Sequence, residues 1–275
     1  MKNKNHLLLI LGISAILVVF LATRSKIVVK DEEQAVQKTS SSQEEHDDED
    51  SEEHQMAIPL EVQNKVAAFR KELSGASPTK TQELYSNIAQ VYVQASVFDS
   101  AGYYFEKIAV QSPNKTNWTR VGEAYFQAYN LALSPQKIEA FVEKARNGFN
   151  QVLKLDPNDL NAKTNLGMTY VKSDSPMKAI GMLREVLDQN PNYVPAIMSL
   201  GGLSMQSNQF DKALIRFQNV LRIEPNNQNA KIGMAYSLIE LDRKPEAKKI
   251  FEEVLNGEID PVMKDELTKT LNSLK

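Results

Sequence analysis

The sequence predicts an all-α chain built as a row of about five helix-turn-helix units between flanking helices. Three observations predict it. A Pro-Asn dipeptide recurs at Pro113-Asn114, Pro157-Asn158, Pro191-Asn192 and Pro225-Asn226, with the last three prolines 34 residues apart. Small residues and large apolar residues return in the same register inside each interval, which is the mark of a stacked repeat. The stretches on either side carry apolar stripes at helical spacing: Leu60, Val66, Phe69 and Leu73 before the repeats, Met263, Leu267, Leu271 and Leu274 after them.

The 275 residues open on a different kind of segment. Leu7 to Ala22 is uncharged and strongly apolar, flanked by Lys2, Lys4, Arg24 and Lys26. The nineteen residues between Lys4 and Arg24 span about 29 Å as a helix, close to the thickness of a hydrocarbon layer. Residues 1–26 are therefore expected to be a single-pass anchor or uncleaved signal. A cleaved signal peptide is the rival, but a cut after Ala22 would place bulky Phe20 where a small residue is needed. The short N-terminal tail favours an inner-membrane protein whose body faces the periplasm or exterior, although Arg24, Lys26 and Lys30 pull the other way.

Residues 27–56 have no apolar periodicity and contain the acidic run Glu44 to Glu53. Such a segment cannot bury enough surface to offset its chain entropy, so it is expected to be a disordered linker, extended by its own repulsion. His46 inside the acidic run and His54 just after it could collect divalent cations loosely, but a solvated spacer is the plainer reading.

Residues 57–81 hold the first flanking helix, closed by Gly75 and Pro78. Five units then divide at about 82–114, 115–159, 160–193, 194–227 and 228–261, and 262–275 form a final solvating helix. Each unit repeats a pattern of packing residues. Gly122, Gly167 and Gly201 in the first helix and Ala101, Ala145, Ala179, Ala213 and Ala247 in the second let paired helices approach. Tyr92, Tyr125, Tyr170, Phe105, Phe149, Phe217 and Phe251 fill the space between neighbours. Ser96, Asp174, Asn208 and Asp242 mark the turn inside four of the units, and Pro-Asn closes the first four. The second unit is longer by about eleven residues around Ser134-Pro135, a cap and first-turn pair, so both of its helices are expected to lengthen into a protrusion.

Trp118, Val121-Gly122 and Tyr125, then Leu166-Gly167, Tyr170, Ala179, Leu183 and Pro191, and the matching positions of the other units, resemble the tetratricopeptide-repeat (TPR) family over about residues 82–261. The resemblance implies a right-handed superhelix whose first helices line a concave groove that binds peptides or helices. Carried onto this sequence, the family's groove positions give Gln90, Gln94, Glu123, Gln127, Met168, Lys172, Met198, Met205, Ile232, Tyr236 and Ile239 as candidate partner-binding residues. The Lys-and-Asn pairing by which some family members grip C-terminal carboxylates is missing: Thr119/Glu123 and Ile232/Tyr236 stand in such places. The expected groove is polar at its N-terminal end and apolar at its C-terminal end, where methionines suit an amphipathic helix.

Composition narrows the function. There is no Cys, and the three His (His6, His46, His54) precede the repeats, so the repeat region lacks thiol and imidazole catalysis and histidine metal sites. No catalytic residue, cofactor or metal is assigned. The net charge of −3 offers no basic surface for nucleic acid. Residues 1–55 carry six Lys/Arg against eleven Asp/Glu, leaving the rest of the chain near neutral. The sequence thus points to a membrane-tethered scaffold or adaptor for protein or peptide partners. A chaperone-like helper of exported proteins and a self-assembling structural module, a homo-oligomer, are the alternatives.

Overall fold

The computed structural model describes residues 58–171 and 175–274. The expected anchor at 7–22, the acidic linker, Lys172 and the turn residue Asp174 lie outside the described residues. Among the described residues there are twelve α-helices and no strand: α1 (Leu60–Leu73), α2 (Pro78–Gln94), α3 (Phe98–Gln111), α4 (Lys115–Leu131), α5 (Pro135–Leu155), α6 (Leu160–Met168), α7 (Pro176–Gln189), α8 (Val194–Gln206), α9 (Phe210–Ile223), α10 (Gln228–Glu240), α11 (Lys244–Leu255) and α12 (Pro261–Ser273). No helix of these is long and apolar enough to cross a membrane.

The sequence places each boundary. Ser77, Asn114, Ser134, Asp159, Asn227 and Asp260 cap helices by accepting a hydrogen bond from a backbone N–H two or three residues on. Pro78 and Pro135 occupy the first turn, where no N–H donor is needed. Within the units, Ser96, Asn208 and Asp242 take the left-handed conformation, with φ of 60°, 56° and 58°. The next residues' amides then reach back to close the helix: Val97 N–H donates to the Tyr92 carbonyl at 2.9 Å, Gln209 to Ser204 and Arg243 to Leu238 at 2.8 Å. Helix α2 starts at Pro78, four residues ahead of the unit boundary read from the repeat.

Consecutive helices pack on one another throughout, and the first helices α4, α6, α8 and α10 also touch across units. With α2, the first helix of the first unit, they form the inner row. The second helices α3, α5, α7, α9 and α11 form the outer row, with α1 packed on α2 and α12 on α11. All five repeat alanines are fully buried between the rows, as are Phe149 and Phe251. Phe217 lies across two glycines: a methyl on Gly201 would fall 2.7 Å from its ring, and one on Gly233 2.6 Å. Leu267 of α12 is fully buried at the end of the core, with Met263, Leu271 and Leu274 packed beside it. The closing helix thus shields the last unit from water, as a solenoid requires.

Both helices of the second unit lengthen, the second one more. Helix α4 has 17 residues against 13 in α8 and α10 and nine in α6, and only α2, which starts early at Pro78, matches it; α5 has 21 against 12 to 14 in the other second helices. The connection of residues 132–134 is no longer than that of residues 95–97 or 207–209, so the protrusion is the joined ends of α4 and α5. Tyr129 and Phe126 are buried at its base, while Leu133 at the tip is 96 % exposed. One helix is short: α6 ends at Met168, where Arg146 of α5 donates to the Thr169 hydroxyl and to the Thr169 carbonyl, each at 3.0 Å.

Gly181, inside α7, tests the helix itself. A methyl there would meet nothing within 4 Å. Gly181→Ala is expected to raise stability by about 0.5–1 kcal/mol, because alanine restricts the unfolded chain and favours helix without crowding a neighbour. Denaturant unfolding read by circular dichroism measures it; a loss of stability would mean that α7 packs more closely there.

Candidate partner-binding groove

The inner row carries the candidate groove, and its character changes along its length. At the N-terminal end, Gln90 and Gln94 stand exposed on α2, one helical turn apart. Glu123 of α4 follows, half-buried, and accepts from Asn161 Nδ2 of α6 at 3.4 Å. Asn161 Oδ1 in turn accepts from Asn165 Nδ2 at 3.2 Å. A string of carboxylate and amides therefore crosses from α4 to α6. Burial pushes the Glu123 carboxyl above its ordinary value near 4.5, against the pull of the Asn161 hydrogen bond and the Arg120 charge.

Asn161 and Asn165 were missed by reading one groove position at a time. Their spacing of four on α6, which puts two amides on one face, was the available signal. At the mouth of the string, Lys115 ties α4 to the α5–α6 loop through Asp156 at 2.8 Å and Asp159 at 2.6 Å. Asp159 also caps α6. Nearby, burial followed by the Asp159 charge pushes the Tyr193 hydroxyl up to about 12.

Beyond α6 the expectation of an open apolar groove is corrected. Met198, Met205 and Ile232 are only 2 %, 3 % and 3 % exposed, and Met168, Tyr236 and Gln127 are buried as well. The coil closes the inner row on itself here. Met198, Met205, Ile232 and Tyr236 join Phe217 and Phe251 in one core cluster, and the Tyr236 hydroxyl lies 3.4 Å from that of Thr270 on α12. Ile239 is half-buried against the same cluster. Of the candidate residues that are described, only Gln90, Gln94 and Glu123, with part of Ile239, keep surface a partner could touch.

Glu123 carries a pH prediction. Its folded-state pKa is raised, so the folded chain binds a proton more tightly there than the unfolded chain does. Stability contributed by this group is present at low pH and is lost as pH climbs from the unfolded value through the folded one. Glu123→Gln keeps an acceptor for Asn161 and removes the charge. It is expected to raise stability at pH 7 by about 1 kcal/mol and to change nothing near pH 3. Unfolding midpoints across that range read the effect, and a variant less stable at pH 7 would show that the ionised carboxylate is the better partner.

Residues 204–258 match the tetratricopeptide-repeat family model. Solved structures share the fold over most of the described chain. A tetratricopeptide repeat protein from Parabacteroides merdae is 18% identical with a TM-score of 0.55, covering 76% of this chain and 77% of its own. A thermophilic TPR protein of Thermus thermophilus is 16% identical with a TM-score of 0.52, covering 68% and 95%. A chain of the APC/C hetero-tetramer Cut9-Hcn1 is 16% identical with a TM-score of 0.51, covering 70% of this chain and 36% of that one. No curated protein matches the chain. The architecture is that of a TPR superhelix, with the repeats legible both in sequence and in helix packing.

Proposed function

We propose that the chain is a membrane-tethered TPR scaffold that holds an extended segment of a partner protein along the N-terminal half of its inner row. The observation that carries this reading is the contrast along that row: Gln90, Gln94, Glu123, Asn161 and Asn165 stay at least partly accessible, whereas the apolar positions further on are closed into the core. Side-chain amides both donate and accept, which matches a peptide main chain. An extended peptide suits this surface better than the amphipathic helix that an open row of methionines would have favoured. The apolar segment 7–22 would hold the body at the inner membrane, facing the periplasm or exterior, and the acidic linker would supply reach and raise the local concentration of the body near membrane partners.

Site-specific photo-crosslinkers at Gln90 and Gln94 in the native membrane, with Val110 of the outer row as control, test the groove. Defined partners should be captured from the inner row, and capture should be lost when Glu123 is replaced by Lys. Capture from Val110 alone would overturn the assignment. Carbonate extraction tests the tether: the intact chain should stay with the membrane, and a chain lacking residues 7–22 should be released.

A further inference from the structure

The outer row has a charge pattern that the groove does not use. Helices α5, α7 and α9 carry nine Lys/Arg against five Asp/Glu. Ion pairs among the described residues occur on α1, α2 and α10 to α12 and at the Lys115 cluster, but none engages the nine cations. Four of the nine are gathered in two pairs that straddle consecutive helix seams.

At the α5–α7 seam the Arg146 guanidinium lies 3.9 Å and the Lys178 ammonium 4.0 Å from the centre of the Tyr170 ring. Thirty-four residues on, at the same register, the sequence has Ser204 in place of the aromatic. At this α7–α9 seam Arg216 fills the space, donating to the Ser204 hydroxyl and to the Leu200 carbonyl, the latter at 3.2 Å. Burial, with the charge of Arg184 across the seam, lowers the affinity of Arg216 for its proton. Rings and carbonyls thus fix these cations in place while leaving their charge unneutralised by the described residues, a favourable arrangement for charge-assisted bonds to carboxylates. Because the second pair follows the first by 38 residues, one helical turn past the 34-residue register, the two pairs lie on successive seams, and the fitting ligand carries several carboxylates in a row.

We propose that the outer seam bearing Arg146, Lys178, Arg184 and Arg216 is a docking surface for an acidic peptide, occupied by the chain's own segment Glu44 to Glu53. That segment places eight carboxylates in ten residues. Sixteen residues separate Glu44 from the start of α1, about 54 Å when extended, and seven separate Glu53 from it, about 24 Å. Four successive helix contacts at about 8–10 Å each lead across the axes from α1 to α5, about 40 Å, so the N-terminal end of the acidic run, on about 54 Å of extended chain, reaches the Arg146–Lys178 pair first, with Arg184 of α7 beside it. Docking there would shorten the spacer and hold the body in one orientation. An acidic partner would have to displace it.

Zero-length carbodiimide cross-linking of the full chain in detergent micelles tests this. Isotope-labelled and unlabelled chains are mixed, and the linked peptides are read by mass spectrometry. The expected product joins a carboxylate of residues 44–53 to Lys178 within one chain. Its yield should fall about fivefold or more near 0.5 M salt, where screening is short-ranged, and in Arg184→Glu, which alters an exposed residue. A second variant with the eight carboxylates changed to amides leaves the body untouched and should give no such product. Cross-links confined to Lys65 and Lys71 of α1, a yield indifferent to salt and to Arg184→Glu, or links only between different chains would each overturn the proposal.

Discussion

Gly148→Ala should destabilise the chain by about 2–4 kcal/mol, far more than a helical glycine-to-alanine change usually does. An ideal methyl at Gly148 of α5 would lie 2.5 Å from the backbone nitrogen of Gly122 and 2.7 Å from its Cα on α4, with the Trp118 carbonyl at 3.2 Å. Neither helix can give way by turning a side chain, because the obstruction is main chain. Relief requires the axes of α4 and α5 to move apart, which opens the packing around Phe149, itself fully buried against Gly122. Intrinsic helix propensity acts in the opposite direction by about 1 kcal/mol, so the sign of the result decides which effect wins. Equilibrium denaturation with circular dichroism gives the comparison, with Gly181→Ala as the propensity-only control. Equal stability for both variants would mean that α4 and α5 are not in backbone contact. Since Glu123 lies one residue beyond Gly122 on α4, the same variant should weaken any partner held at the polar end of the inner row.

Sequence and structure agree most closely where a residue's role depends on its own unit. The buried alanines, the turn residues Ser96, Asn208 and Asp242, and the Ser134 cap were all readable because their reasons are local: a close helix pair, a left-handed turn, an unpaired amide. Phe217 against Gly201 was legible for the same reason, as a large residue facing a small one at fixed spacing. The contact of Phe217 with Gly233 of the following unit was harder to see, because it depends on how two units stack.

The groove lay beyond that horizon. Register places Met198, Met205 and Ile232 on the inner row, and the structure puts them on helices of that row. Whether an inner-row side chain is open or closed depends on curvature, which accumulates from every inter-unit contact and cannot be read from one unit. The short helix α6 shows the same limit. Its length of nine residues goes with an Arg146 contact that reaches across from the preceding unit to Thr169, and nothing within α6 announces it.

Met198→Glu is expected to have the largest effect of any single change considered, a loss of about 4 kcal/mol or more at neutral pH. Met198 is 2 % exposed and belongs to the cluster built on Phe217 and Tyr236. Replacing it removes apolar contacts and puts a carboxylate among the apolar side chains of that cluster. The new group would have a raised folded-state pKa, so the charge penalty is absent below the unfolded carboxylate value and grows as pH rises from there towards the folded one. The variant should therefore recover part of its stability at pH 4, whereas the deficit from lost packing should persist. Met198→Leu, which conserves volume, should cost less than about 1.5 kcal/mol. An open groove predicts otherwise: a glutamate on an exposed inner face would change stability by less than about 0.5 kcal/mol and act only on partner capture. Unfolding of the two variants at pH 4 and pH 7 separates the cases. A well-folded Met198→Glu chain at neutral pH would reopen the C-terminal half of the inner row as a binding surface, and would move the partner site from the amides of α2, α4 and α6 to the methionines of α8.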